Sequence, residues 1–338
     1  MNVVQRISLA HGEGGELTHR LIRDVFIKAF GSNESKQLDA AFFNSPTKKM
    51  AVSTDSYVVK PIFFPGGNIG KLAISGTVND LSVCGALPLI ITVGFIIEEG
   101  FPLGDLKEVV QSMATEAETA GVKIIAGDTK VVEKGNADGL FINTTGIGLV
   151  RDEWRLNPDT VQEGDSVIVS GTIGDHGISI LAARKELGLI TEVASDCASL
   201  NRLIQELLHE LDGIRLMRDP TRGGLATTLF ELCEDFHFTV ELEETSIPVR
   251  RDVHGACDIL GFDPLYLANE GKVVMIVNAA QQQKALEILK RHPFGKDAEV
   301  IGSITSCKNP SGKLLLRTPI GTTRRLHRLS GLLLPRIC

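Results

Sequence analysis

The chain has 338 residues, enough for about two domains of roughly 150 residues each, which excludes a single small module. Hydrophobic residues make up 43% and charged residues 23%, with a mean hydropathy of +0.10, a balance that excludes general disorder and a collagen-like chain. A formal net charge of -7 argues against a nucleic-acid partner held by phosphate neutralisation.

In chain order, the first stretch, MNVVQRISLAHGEGG, has no apolar core of a secretory leader, so a cytoplasmic protein with reduced cysteines is expected. It contains the first glycine cluster, His11-Gly12-Glu13-Gly14-Gly15. A β-branched run, Met50 to Thr54, predicts a strand with Asp55 at its end. The second glycine cluster, Pro65 to Lys71 with Gly66 and Gly67, lies before a helical stretch. Bare N–H groups and the positive end of a helix dipole there can receive an anion, and phosphate is the natural guest. Neither a P-loop nor a GxGxxG dinucleotide fingerprint is present. Asp80 follows in TVND, where a strand end is expected.

The longest apolar run, Pro88 to Ile97, is ten residues and meets Glu98, about half of what a membrane span needs. A strand is expected over Leu89 to Ile97. Asp105 to Gly121 carries Leu106, Val109, Val110, Met113, Ala117 and Ala120 at steps of three and four and closes on a C-cap glycine, which predicts a helix. Strands are expected at Lys123 to Ala126, leaving Gly127-Asp128-Thr129-Lys130 at a strand end, and at Phe141 to Leu149. The polar stretch Arg151 to Gly164 carries the sole tryptophan and divides residues 1–150 from 151–330.

In the second half, strands are expected at Ser166 to Ser170, Val273 to Asn278 and Leu314 to Arg317. Asp175 in GTIGDHG, Asp219 in RDPTRGG and the third glycine cluster, Arg222-Gly223-Gly224, repeat the pairing of acids with glycine. Carboxylates beside a phosphate-receiving loop suit Mg²⁺, which keeps several waters and takes a few carboxylates together with substrate phosphates. Lys130 and Glu270 are the candidate acid–base pair, one to hold an anionic oxygen, the other to remove a proton.

Six cysteines show no zinc-ligand spacing, and the eight histidines form no HExxH pattern. Cys84, Cys197, Cys233, Cys257 and Cys307 are expected in the core. From Val300 onward there is no acid, while seven Lys and Arg residues make a basic end suited to its own acidic body, a partner or a bound anion. The segment 331–338 reads as a loose tail whose extended reach of roughly 23–25 Å would carry the terminal Cys338 into a cleft.

LAHGEGGE, STDSYVVKPIFFPGGNIGKLAISGTVNDL, GDTKVVE, VSGTIGDHGI, RDPTRGGL, ANEGKVVM and HPFGKDAEVIG together resemble the AIR synthase-related (PurM-like) superfamily of ATP-dependent enzymes. The terminal PRIC points within it to the HypE family of hydrogenase maturation carbamoyl dehydratases. The resemblance implies a two-domain α+β fold with mixed sheets and flanking helices: an N-terminal ATP- and Mg²⁺-binding, dimerising domain, a C-terminal domain and a flexible tail. It implies ATP-dependent dehydration of an S-carboxamide on Cys338 to a thiocyanate, the source of a cyanide ligand for [NiFe]-hydrogenase iron. Mg²⁺ would fall to Asp55, Asp80, Asp128 and Asp219. The nucleotide would fall to Asp55, Gly66, Gly67, Lys71, Asn79, Asp80, Asp128 and Thr129. Cys338 would be the carrier, Glu270 the base and Lys130 the oxyanion or phosphate holder. The implied partners are a second copy, the carbamoyltransferase HypF and the HypC–HypD iron complex. The alternatives are an AIR or selenophosphate synthetase, although the latter would be expected to carry a reactive residue near the first glycine loop, or a non-enzymatic ATP-binding scaffold.

Overall fold

A computed structural model describes residues 6–8, 21–30, 49–151, 154, 156–185, 188–307 and 312–327. The first half builds a sheet from β1 (Met50–Tyr57), β4 (Ala86–Glu98), β5 (Lys123–Val132) and β6 (Leu140–Val150), in the order β1-β6-β4-β5. A short ladder of β2 (Phe63–Phe64) and β3 (Gly67–Asn68) leads into helix α1 (Ile69–Val83). Helix α2 (Leu103–Ala120) packs on α1, and together they give the sheet one covered face. The apolar steps expected of α2 are all buried, and Gly121 closes it at φ 74°, its N–H reaching the last turn's carbonyls. The other sheet face carries Val52 and Ile96, 66% and 44% exposed.

The second half builds a seven-stranded sheet from β7 (Ser166–Val169), β8 (Ile214–Arg218), β9 (Phe238–Glu243), β10 (Val274–Val277), β11 (Glu299–Cys307), β12 (Lys313–Arg317) and β13 (Thr323–Leu326). Their order is β13-β12-β9-β11-β7-β10-β8. Ser-Val-Ile-Val and Val-Met-Ile-Val are apolar without alternation because both faces are covered. Val167, Val169, Val274 and Ile276 pack with α5 (Gly224–Phe236), while Ile168, Met275 and Val277 pack with α4 (Asn201–Glu210) and α7 (Gln282–Arg291). The remaining helices, α3 (Asp175–Ala183) and α6 (Arg251–Leu260), turn the other way. Their Ile178, Ile180, Leu181, Val253 and Cys257 belong to the same buried cluster as Ile74, Phe95 and Val109 of the first half.

Several sequence expectations change. Asp80 lies in the last turn of α1 rather than at a strand end, and Asp128 lies inside β5, which runs six residues beyond the expected Ala126. The β-branched run ends at Ala126, but pairing with β4 carries Gly127 through Val132 onward as strand. Strands β8, β9, β11 and β13 went unforeseen because Arg215, Glu241, Ser303 and Arg324 interrupt their apolar runs. Cys197, Cys233 and Cys257 are buried as expected; Cys84 is exposed at the end of α1 and Cys307 is half-buried. Part of the basic end rests on the chain's own acids: Arg317 pairs with Glu241 at 2.8 Å and Arg324 with Asp263 at 3.1 Å. Cys338 and the first glycine cluster lie outside the described residues.

Candidate active site

Four carboxylates gather at the seam between the halves. On β1 the alternation of side chains turns Ser53, Asp55 and Tyr57 toward α1. There Ser53 Oγ donates to Asp80 Oδ2 at 2.7 Å, and the buried Tyr57 hydroxyl lies 3.3 Å from Thr77 Oγ1. The second half adds Asp219 just after β8, and Arg222 Nη2, which reaches Asp55 Oδ1 at 3.3 Å. Glu270, 5% exposed, completes the group.

Electrostatics bind these acids into one unit. Burial raises the Asp80 carboxyl, and the nearby Asp55 charge raises it further against the pull of Ser53, Arg218 and Arg222. Asp219 is pushed up to about 7, by burial first and then by Asp80 and Asp55. Glu270 is held well above the usual carboxylate range by burial, then by Asp219, Asp196, Asp55 and Asp80. The same burial and charges raise the Tyr57 phenol. Arg218 and Arg222 pull against these raised carboxyls, and a cation beside them would ease their ionisation further. Among the described residues no three His, Cys, Asp or Glu side chains form a metal-holding group by themselves. Hard oxygens gathered loosely fit Mg²⁺ that arrives with phosphates and keeps its waters.

The other expected residues are placed differently. Asp128 and Lys130 pair with Gly94 and Ile96, so they share the face that carries exposed Ile96 and point away from α1. Their strand is also three strand spacings from β1, about 14 Å across the sheet. Thr129 pairs with buried Phe95 on the covered face, and its N–H goes to Asp128 Oδ1 at 2.8 Å. Within one chain, then, Asp55, Asp80, Asp219 and Glu270 are brought together, and Asp128 and Lys130 are not.

The second glycine cluster is engaged by the protein itself. Asn68 Oδ1 caps α1 by accepting from the N–H groups of Gly70 and Lys71, and Lys71 Nζ donates to Gly66 O at 3.2 Å. Gly66 sits at φ 94°, where a Cβ would stand 2.5 Å from Ser195 O, so its missing side chain lets the halves touch. Asn79 is likewise committed, its amide joining the backbone of Ala198, Leu200 and Glu270.

Sequence reading missed Ser53, Tyr57, Arg218, Asp196 and Lys272, and took Arg222 only as part of the third glycine cluster. Arg222 and Lys272 stand within the RDPTRGG and ANEGK motifs, so proximity in sequence could have found them. Asp196 lies in a segment without regular structure and gave no signal.

Two family matches cover most of the chain: AIR synthase related protein, N-terminal domain, over residues 37–150, and its C-terminal domain over 162–314. The carbamoyl dehydratase HypE of Azotobacter vinelandii is 44% identical over 333 residues, 98% of this chain and 97% of that protein. The chain belongs to the HypE family. A HypE crystal structure in complex with ATP superposes at a TM-score of 0.93, with 45% identity over 98% of this chain and 99% of that one. A HypE–HypF complex gives 0.79 and 48% identity over 91% of this chain and 99% of that one. HypE membership bears out the resemblance carried by the motifs and the expected two-part PurM-like fold, and it favours the dehydratase over the synthetase and scaffold alternatives. No helix among the described residues is long and apolar enough to cross a membrane.

Proposed function

We propose that this chain dehydrates an S-carboxamide on its own Cys338 to a thiocyanate at the expense of ATP, with Glu270 as proton acceptor. The observation that carries the reading is Glu270 itself, a buried carboxyl facing Asp55, Asp80 and Asp219 at the seam of the halves. The ATP complex of a 45%-identical HypE supports the nucleotide. Asp55, Asp80 and Asp219 would hold Mg²⁺, which when bound supplies charge neutralisation of the phosphates.

The carboxamide oxygen takes the γ-phosphoryl group, forming a C–O–P link and releasing ADP, while one N–H proton leaves. Loss of the second N–H proton to Glu270 then forms the C≡N bond as the C–O bond breaks and phosphate departs. Cys338 sulfur stays bonded to the same carbon throughout. Glu270, beside the acids that would hold the cation, would ionise more readily with that charge bound, which would couple the base to the nucleotide.

Lys130 and Asp128 enter this scheme through a second copy. The exposed sheet face bearing Val52 and Ile96, on which Asp128 and Lys130 also stand, together with edge strands β1 and β5, offers a pairing surface that would set these two residues beside the neighbour's β1 edge. There Lys130 would hold the developing oxyanion. Ile96→Lys is expected to convert a dimer into monomers in sedimentation velocity, with loss of turnover; an unchanged dimer places the pairing surface elsewhere. HypF would load the carbamoyl group, as the HypE–HypF complex supports, and a HypC–HypD iron centre in the cytoplasm would receive the cyanide.

Intact-protein mass spectrometry tests the reading. With the carbamoyltransferase, carbamoyl phosphate and ATP, a gain of about 43 Da followed by a loss of about 18 Da is expected, both absent in Cys338→Ala. A chain that binds ATP and is never modified overturns the proposal.

A further inference from the structure

Glu270 is held by its peptide, from both halves of the molecule. Its N–H donates to Asp196 Oδ1 at 3.0 Å, and its carbonyl accepts from Asn79 Nδ2 at 3.3 Å. Asp196 is in turn fixed by Lys272 Nζ at 3.1 Å, with the two side chains 3% and 11% exposed. Asn79, 2% exposed, also donates to Ala198 O at 3.0 Å and accepts from Leu200 N–H at 2.8 Å, so it ties α1 to the loop carrying Asp196. Gly271 completes the fit, because a Cβ there would run into the Asp196 carbonyl oxygen.

We infer that Asn79 and the Asp196–Lys272 pair are positioning residues that clamp the Glu270 peptide and aim its carboxylate at the reacting amide. The inference rests on Glu270 as the proton acceptor. A buried ion pair is a costly way to gain stability, since apolar residues of like volume do as well or better. What the pair supplies here is placement: a charged oxygen held still, with one lone pair given to the Glu270 N–H. Burial alone would raise the Asp196 carboxyl, but Lys272, His176 and the Glu270 N–H hold it below the usual range, so it stays an acceptor. Asn79 and Asp196 reach the acid group only at the Glu270 peptide, and their hydrogen bonds go to none of Asp55, Asp80 and Asp219, so the clamp should govern the chemical step rather than nucleotide binding.

The test uses the full chain loaded with carbamoyl on Cys338, following conversion against ATP concentration. Asp196→Ala and Asn79→Ala are expected to lower the saturated rate by about 10²-fold while the half-saturating ATP concentration stays within about two-fold. Asp196→Asn, whose amide oxygen can still accept the Glu270 N–H, is expected to recover at least about ten-fold of that loss. In a Glu270→Gln background the same substitutions should add nothing, because no carboxylate remains to aim. Should the alanine variants fail to fold, Asn79→Asp keeps the volume and the Leu200 contact, removes the donor to Glu270, and is expected to slow conversion equally. An unchanged rate in these variants beside an inactive Glu270→Gln protein overturns the clamp alone. So does a loss shared equally between rate and ATP affinity, or a full further loss in the Glu270→Gln background. A Glu270→Gln protein of normal rate overturns the base assignment, and the clamp with it.

Discussion

Glu270→Gln is expected to slow conversion of the carbamoylated tail to the thiocyanate by about 10²- to 10⁴-fold, the range carried by a positioned general base. The amide is nearly isosteric and keeps the peptide contacts to Asp196 and Asn79, so folding and nucleotide binding should survive. Quench-flow with mass detection, read beside ATP titration, separates the two effects; normal conversion would show that the proton goes elsewhere. The wild-type pH profile carries a second signature. Burial and four neighbouring acids raise Glu270, so its basic form is scarce at low pH and the rate should climb as pH rises through that raised value. Glu270→Gln should flatten this limb.

Asp219→Asn is expected to raise the melting temperature of the nucleotide-free protein and to weaken its response to Mg²⁺–ATP. The carboxyl is pushed up to about 7 in the folded chain against 3.8 for a free aspartate. A folded value above the unfolded one means that the native state binds the proton more tightly. That contribution is full below about pH 4 and is lost as pH rises to about 7. The gain in Asp219→Asn over wild type should therefore be near zero at pH 4, grow between pH 4 and 7, and level off above. Each kcal/mol recovered raises the midpoint by about 1–2 °C in a chain of this length, given an unfolding entropy of about 2.1 cal/mol/K per residue. Thermal melts of both proteins across that range check the sign. A difference that does not vary with pH would remove Asp219 from the charge cluster. In wild type, Mg²⁺–ATP should reverse the penalty by binding only the native state; the variant should gain less.

How much of this was legible in the chain depends on whether a residue acts locally. The helix at Leu103–Ala120 was readable because its apolar steps and closing Gly121 are both short-range signals. Asp55, Asp80, Asp219 and Glu270 were readable through their motifs, although Asp55 and Glu270 stand 215 positions apart and only the fold brings them together. Asp128 and Lys130 show the limit: GDTK reads as a strand-end loop, yet pairing with Phe95 and Ile96 makes it strand and so assigns its side chains to alternate faces. No local pattern announces that choice. Glycine was ambiguous for a related reason. Gly66 and Gly271 look like a phosphate loop and a turn, but each is where backbone from the other side of a contact presses too close for a Cβ. Asn79 and Asp196 act on Glu270 from 191 and 74 positions away, beyond any motif.

The buried cluster shared by α1, α2, α3 and α6 has a mechanical consequence. Helices contributed by the later half of the chain wall in the earlier half, so a hinge between the sheets would expose Ile178, Val253 and Cys257 to water at about 25 cal/mol for every Å² of apolar surface. Rigid-body gaping is therefore an expensive way to admit a substrate, and heat or denaturant should melt both sheets in one transition. Under the proposed reaction, the carboxamide would then have to reach Glu270 while the two sheets stay together, which sets the route for the substrate at the rim of the seam rather than through a parting of the halves.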